Sequence, residues 1–185
     1  MSDDLQDLLP AFAEKVVQTI EQCAAQGVTM RVISTLRDLD EQANLFAKGR
    51  SAQELAQVSK GLSFVNADFL AEVVERARAQ PNEKVVTGTP PGFSWHNWGE
   101  AVDCVWMHNG RESWDAQILG DRNGYRVYAR VAESLGLFAG GLRSKLVDWP
   151  HLQYRVEPSA LHTHPLPSID AEMQRRFPRG RSNKN

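Results

Sequence analysis

The stretch GFSWHNWGEAVDCVW at residues 92–106 decides how this chain is interpreted. Its second half, EAVDCVW, alternates in side-chain character and predicts a β-strand. On such a strand Asp103 shares a face with Ala101 and Val105, while Cys104 lies on the opposite face. A carboxylate on an otherwise apolar face loses several kcal/mol of hydration on burial unless a charged partner or a metal ion compensates it. The sequence therefore predicts a partner for Asp103.

Four residues with metal-ligand or acid–base chemistry fall into two groups. His96 and Asp103 form the first group, and Asp148 and His151, in the sequence DWPH, form the second. Catalytic zinc commonly takes three protein ligands from His, Asp or Glu, which leaves a fourth acidic group to act as base. Gly99 allows the chain to fold back between His96 and Asp103. Singly, each residue is more often a hydrogen-bonded structural residue, but together they favour a metal site.

The composition is typical of an ordinary globular protein. The 185 residues are 42% hydrophobic and 24% charged, which is enough for one buried core and predicts a single domain over residues 1–178. Residues 179–185 are predicted to be a mobile basic tail. The formal net charge of −2 argues against a nucleic-acid-coating protein. Cys23 and Cys104 fit neither a disulfide framework nor a paired zinc motif, and are predicted to be buried free thiols.

No sequence feature indicates insertion into a membrane. The chain has no apolar run near the length of a membrane span, and its first residues, MSDDLQDLLP, are acidic where a signal peptide is basic. We therefore expect synthesis in the cytoplasm without a signal peptide.

The periodicity of apolar residues predicts a mixture of helices and strands. Apolar spacings of three and four predict helices at residues 5–26, 37–49, 51–58, 66–80 and 122–135. β-branched or alternating runs predict strands at residues 28–35, 84–86, 100–106 and 146–156, the last interrupted at Pro150. Ser51 with Glu54 predicts a capping box, and Asn66 predicts a helix N-cap. From Pro158 onward the chain is interrupted by prolines and becomes increasingly basic.

Three segments match, in the same order, the motifs of one peptidase family. SWHNWGEAVD at residues 94–103 resembles S-x-H-x-x-G-x-A-x-D of the zinc D-alanyl-D-alanine carboxypeptidase and L-alanyl-D-glutamate endopeptidase family, which includes VanY-like and phage endolysin peptidases. LGLFAGGLRSKLVDWPHLQ at 135–153 resembles its G-L-x-x-G-G…D-x-P-H-x-Q segment. RVISTLRDLDEQANLFAKGR at 31–50 resembles its R-x-x-S-x-x-R-x-x-x-x-Q segment.

The resemblance implies a fold and a metal. The fold is α+β and hedgehog/D,D-peptidase-like, with a small antiparallel sheet flanked by helices and presenting a zinc cleft. One Zn²⁺ per chain is implied, bound by His96, Asp103 and His151, with Asp148 as general base.

The resemblance also implies residues that contact the substrate. Arg37 matches the arginine that contacts the scissile carbonyl and its oxyanion, a role that suits a guanidinium in a cleft poor in water. Ser94 and Gln42 match residues that bind substrate or line the site. The sequence departs from the family pattern at Thr35 and Leu36, so the substrate subsites stay open.

The substrate implied by the resemblance is a peptidoglycan stem peptide. The first choice of bond is L-Ala–D-Glu, cleaved by an endolysin-like, bacteriolytic monomer that acts at the bacterial cell wall. One route from the cytoplasm to the wall would be release by a phage holin. The alternatives are a D-Ala–D-Ala carboxypeptidase, a non-catalytic wall-peptide-binding module on the same fold, and a structural phage component whose zinc only stabilises it.

Overall fold

The structure is a computed structural model that describes residues 2–143 and 147–178. The helices are α1 (Pro10–Ala25), α2 (Leu39–Ala47), α3 (Ala52–Phe64), α4 (Asp68–Arg76), α5 (Gly124–Ser134) and α6 (Leu166–Arg176). The strands are β1 (Thr29–Ser34), β2 (Ala101–His108), β3 (Arg111–Ser113), β4 (Phe138–Ala139) and β5 (His151–Gln153). The predicted α+β class is therefore confirmed. The predicted tail at residues 179–185 lies outside the described residues.

Contacts divide the chain into two compact units. The first contains Met1–Leu36 and Trp98–Val156, and the second contains Arg37–Asn97 and Glu157–Asn185. The first unit holds the sheet with α1 and α5. The second unit holds α2, α3, α4 and α6.

The sheet of the first unit is small and antiparallel, as expected. Its strand order is β1-β2-β5-β4, and β3 pairs with β2 beside β5. One hydrophobic core joins the sheet to α1 and α5, and its members include Phe12, Val16, Val102, Cys104, Tyr125, Tyr128 and Leu152. Strand β2 lies between β1 and β5, so residues on β2 face neighbours on both sides.

The second unit is helical. The capping boxes Asp38–Glu41 and Ser51–Glu54 begin α2 and α3, which confirms the predicted box at Ser51. Helices α3 and α4 pack on each other. The Asp170 carboxylate of α6 accepts a hydrogen bond from the Leu70 amide of α4 at 2.8 Å.

Several predicted elements differ from the observed ones. Residues 84–86 form no strand, and Val85 and Val86 are half exposed, because β-propensity alone does not supply a partner strand. Helix α3 runs to Phe64, beyond the predicted end at residue 58. Asn66 is not an N-cap: it has a φ of +60° after α3, and Ala67 precedes α4.

Short or proline-flanked elements were not predicted. Strands β3 and β4 have three and two residues, too few to show a period. The predicted strand at 146–156 is reduced to β5 among its described residues. Helix α6 has a proline in its first turn, a position where proline is favoured because its missing N–H would be unpaired anyway.

No helix within the described ranges combines the length and apolar character that crossing a membrane requires.

Candidate metal centre

Asp103 and His151 face each other across two neighbouring strands. Strand β2 pairs with β5 in antiparallel register, and Asp103 is directly opposite His151. His151 Nδ1 lies 3.1 Å from Asp103 Oδ1, and each side chain is about one-fifth exposed (18% and 19%). The partner that the sequence predicts for Asp103 therefore includes this imidazole. The pair combines low exposure with the nitrogen and oxygen donors that divalent cations bind.

His96 brings a third donor to the same group. Within residues 2–143 and 147–178, ligand atoms of His96, Asp103 and His151 all lie within 4.8 Å of one another. His96 belongs to the 3-10 helix Trp95–Trp98 and is 3% exposed. The three residues predicted as metal ligands thus lie together.

Gly99 makes the tight turn between this 3-10 helix and β2. It has a φ of +68°, in the left-handed region that favours glycine. A Cβ at this position would lie 2.7 Å from the Asp7 carbonyl oxygen, and the Gly99 carbonyl accepts a hydrogen bond from the Leu9 amide at 2.8 Å. The turn predicted at this glycine is confirmed, and a side chain would disturb it.

Both ring nitrogens of His151 face acceptor oxygens. Nδ1 faces Asp103 Oδ1 at 3.1 Å, and Nε2 faces Gln153 Oε1 at 3.0 Å. A neutral imidazole has one N–H and one lone pair, so it can donate to only one of these oxygens. The other contact sets two lone pairs against each other unless a second proton or a cation lies there. The donor set of His96, Asp103 and His151 therefore fits a divalent metal ion.

The pKa of His151 reflects the same arrangement. Burial lowers this pKa, but the hydrogen bond to Asp103, the Asp103 charge, the hydrogen bond to Gln153 and the Asp148 charge together raise it above 6.5. In the metal-free chain Asp103 therefore favours the protonated form of the ring. A metal ion must displace this proton in order to bind.

Asp148 lies on a loop that two glycines support. Its side chain is exposed, and its amide donates to the Gly140 carbonyl at 3.2 Å. A Cβ on Gly140 would lie 2.6 Å from the Asp148 carbonyl oxygen and 3.3 Å from His151 Cβ. A Cβ on Gly141 would lie 2.2 Å from the Trp149 ring. The Gly140–Gly141 pair therefore leaves space for the loop that carries Asp148 and leads into β5 at His151.

In the sequence these glycines are recognised only as part of the G-L-x-x-G-G motif. Their contacts with Asp148, Trp149 and His151 depend on how the intervening loop folds back, so no helix or strand period reveals them. The double glycine preceding the DWPH segment was the available signal.

Arg37 is held by its backbone and by its side chain. The Arg37 amide donates to the His96 carbonyl at 3.1 Å, and the buried Asn97 donates through Nδ2 to the Arg37 carbonyl at 2.8 Å. The Asn97 Oδ1 atom accepts from the Gly92 amide at 2.9 Å. Sequence reasoning missed Asn97, which joins the backbone at residues 37 and 92. Its position next to His96 was the only hint.

Gln42 contacts protein groups through both amide atoms. Its Oε1 accepts from Arg37 Nη1 at 2.9 Å, and its Nε2 donates to the Thr89 carbonyl at 2.8 Å. The side chain is 1% exposed. Ser94 is half-buried, and its hydroxyl oxygen accepts from the His96 amide at 3.4 Å. Contact of Gln42 and Ser94 with substrate stays a prediction.

The aromatic residues near the motif are core residues. Trp95, Trp98 and Trp106 are 2%, 8% and 4% exposed, and Trp95 Nε1 donates to the Glu157 carbonyl at 2.7 Å. These three rings are therefore packed in the interior and do not form an exposed aromatic wall.

Replacing Asp103 by Asn should lower the pKa of His151. The raised pKa means that the Asp103–His151 pair stabilises the metal-free fold fully below pH 6.5 and loses this contribution as the pH rises through the folded-state value. Without the carboxylate charge, burial dominates and disfavours the protonated ring. An NMR pH titration of His151 in metal-free protein measures the shift, with Asp121→Asn on an exposed 3-10 helix as control. An unchanged pKa in Asp103→Asn would contradict the assignment.

Gly140→Ala should weaken zinc binding without unfolding the protein. The added methyl collides with the Asp148 carbonyl and must displace the loop that leads into β5 at His151. We expect the zinc affinity, measured by chelator competition, to fall about tenfold or more. Gly61→Ala in α3 is the control because its Cβ meets nothing within 4 Å, and it should gain about 0.5–1 kcal/mol in stability. Equal zinc affinity in wild type and Gly140→Ala would exclude a supporting role for Gly140.

Comparison with known proteins gives one matching family model and one similar solved structure. The family model VanY, described as D-alanyl-D-alanine carboxypeptidase, matches residues 6–138. The crystal structure of the Serratia marcescens L-Ala D-Glu endopeptidase ChiX is similar at 21% identity and a TM-score of 0.40, covering 80% of this chain and 81% of that chain. No curated protein matches the chain.

The family match contains Arg37, His96 and Asp103 but ends before Asp148 and His151. The placement of these last two residues therefore depends on the motif DWPH and on the β2–β5 register. The match spans more than two thirds of the chain and agrees with the sequence motifs, so the chain belongs to the VanY family of D-alanyl-D-alanine carboxypeptidases.

Proposed function

We propose that this protein is a zinc peptidase that hydrolyses an amide bond in peptidoglycan stem peptides at the bacterial cell wall. Its family membership supports a peptidoglycan hydrolase. The observation that carries the zinc proposal is the contact between His151 Nδ1 and Asp103 Oδ1 at 3.1 Å, with a second acceptor on the other ring nitrogen. In a neutral ring, one of these two contacts sets a nitrogen lone pair against an oxygen lone pair. A cation or a second proton between the two atoms removes this repulsion.

The proposed ligands are His96, Asp103 and His151. Two imidazoles and a carboxylate are a common ligand set for catalytic zinc, with a fourth position left to water or substrate. When bound, zinc supplies Lewis-acid chemistry: it lowers the pKa of a water and polarises a carbonyl. The three side chains would hold the ion, and each of them is at most about one-fifth exposed.

Neither cysteine is suited to act as a catalytic nucleophile or as a metal ligand. Burial raises the pKa of the Cys23 thiol to about 11 and that of the Cys104 thiol to about 12. Both side chains are buried in the core. Because the thiolate is the nucleophile and the metal ligand, these protonated thiols suit neither a cysteine peptidase nor a thiolate zinc site.

Asp148 is the proposed general base and acid. Its exposed carboxylate lies three residues before His151, on the loop that Gly140 supports, and its negative charge is among the causes that raise the His151 pKa. In the proposed reaction the Asp148 carboxylate takes a proton from the attacking water. It then returns this proton to the leaving amine.

Arg37 is the residue proposed to stabilise the negative charge that develops on the oxygen of the scissile carbonyl. Its guanidinium is oriented by the hydrogen bond to Gln42, whose amide is fixed in turn by the Thr89 carbonyl. A fixed guanidinium can donate to the carbonyl oxygen as negative charge develops there, at little reorganisation cost.

We rank the L-Ala–D-Glu bond first and the D-Ala–D-Ala bond second. The three motifs lie within residues 31–153, a compact arrangement like that of the phage endolysins in this family. The description of the matching family model supports the second bond.

Purified cell walls provide the direct test of the reaction. Digestion by the zinc-loaded protein, followed by mass analysis, distinguishes new N-terminal D-Glu from released D-Ala. New N-terminal D-Glu supports an endopeptidase, and released D-Ala supports a carboxypeptidase. Stoichiometric binding of wall peptides without either product would instead support a non-catalytic binding module.

Two substitutions should separate metal binding from proton transfer. Asp148→Asn should keep one zinc per chain but lose at least about a hundredfold in turnover, since general acid–base catalysis typically contributes that much. His96→Ala should lose both zinc and turnover. Zinc content and stem-peptide hydrolysis measure the two effects. Asp121→Asn, an exposed carboxylate outside the site, is the control, and full turnover in Asp148→Asn would exclude Asp148 as the base.

A further inference from the structure

We infer that Gln153 is a positioning residue that fixes the tautomer of His151 and thereby reserves Nδ1 for the metal. The inference deepens the proposed function, on which its metal-affinity part rests. Gln153 is not a proposed ligand, base or substrate-binding residue. It acts through His151.

Strand geometry places Gln153 beside His151. The two residues are separated by one position on β5, so their side chains emerge on the same face of the sheet. Gln153 is 4% exposed, and its backbone lies in register with Ala101 on one side and Phe138 on the other. Pairing on both sides leaves this backbone little freedom to move.

The orientation of the Gln153 amide follows from its second contact. Its Nε2 lies 2.7 Å from the Arg155 carbonyl oxygen, which can only accept a hydrogen bond. The amide NH₂ must therefore face Arg155, and Oε1 must face His151 Nε2, at 3.0 Å. A flipped amide would set two oxygens against each other at Arg155.

The amide orientation sets the protonation of the ring. Because Oε1 can only accept, the contact with Gln153 is a hydrogen bond only when Nε2 of His151 carries a hydrogen. In the neutral ring the lone pair is then on Nδ1, the nitrogen that lies 3.1 Å from Asp103 Oδ1. A histidine ligand whose second nitrogen donates to a fixed oxygen is held in one tautomer and one ring orientation.

Glu100 anchors the carbonyl that orients Gln153. The Tyr154 amide donates to the Glu100 carbonyl at 2.9 Å, and Arg155 Nε donates to the Glu100 carboxylate at 2.5 Å. Glu100 is 6% exposed, so this ion pair is largely shielded on the carboxylate side. The Tyr154 amide and the Arg155 side chain are thus both bound to Glu100. The Arg155 carbonyl is therefore a fixed acceptor for the Gln153 amide.

Three variants test the inference. Gln153→Leu removes both amide contacts at similar volume, while Gln153→Glu loses only the donor to the Arg155 carbonyl and keeps an oxygen that can accept from Nε2. Thr19→Val is the matched control, because it also replaces a buried polar side chain in the same unit and removes a hydrogen bond, from Thr19 Oγ1 to the Lys15 carbonyl. Each variant is studied as the full chain.

Two measurements are made on each variant. The first is the ¹H–¹⁵N correlation of the His151 ring in metal-free protein, at a pH where the ring is neutral. The Nε2–H tautomer should be more populated in wild type and in Gln153→Glu than in Gln153→Leu, in which Nδ1–H can donate to Asp103 without competition from Gln153. The second is zinc affinity by chelator competition, which should fall about 10–100-fold in Gln153→Leu. It should be unchanged in Thr19→Val.

The outcomes separate the inference from the proposed function. An equal population of the Nε2–H tautomer in wild type and Gln153→Leu would overturn the inference. An equal loss of zinc affinity in Thr19→Val would also overturn it, because general destabilisation would then explain the effect. Wild-type protein that binds no zinc would overturn the proposed function, whereas the tautomer shift in Gln153→Leu would still support the role of Gln153.

Discussion

The contact between the Asp103 carboxylate and the His151 imidazole is the interaction on which the candidate site depends. It joins β2 to β5 at the position where their register sets these two residues opposite each other. The negative charge of a carboxylate at this low exposure requires compensation. A neutral imidazole can donate a hydrogen bond to it but carries no positive charge. A second proton on the ring or a divalent cation supplies that positive charge. The remainder of the site holds this pair and brings a third donor, His96, to it.

Glycines let backbone segments pack closely around the metal-ligand residues and support them. Gly99 turns the chain from the His96 helix into β2, and Gly140 makes room for the loop that carries Asp148. On the far side of β2, Cys104 and Val102 pack in the core that joins the sheet to α1 and α5. Strand periodicity thus divides β2 into a face that anchors the sheet and a face that carries Asp103. A ligand on a strand anchored in this way is held more firmly than one on a loop.

Much of the site was predictable from sequence because its parts are local. Alternation along residues 100–106 placed Asp103 on its face, and the order of the motifs grouped His96, Asp103 and His151. The contacts that orient the site were not predictable, because no sequence period encodes them. Asn97 contacts Arg37 across 60 positions, and the Gly140–Asp148 and Gln153–Arg155 contacts depend on how the loop and the strand end fold. The fold errors have the same cause. Residues 84–86 have strand composition but no partner strand, whereas β4 has two residues and is defined only by pairing with β5.

The most direct measurement is a crystal structure of the zinc-loaded protein with anomalous scattering recorded at the zinc absorption edge. The predicted result is one peak per chain, bonded at about 2.0–2.2 Å to His151 Nδ1, to an Asp103 carboxylate oxygen and to a ring nitrogen of His96. The absence of a peak among these three residues would contradict a metal centre. A zinc ion bonded to His151 through Nε2 would contradict the arrangement in which Gln153 holds that nitrogen.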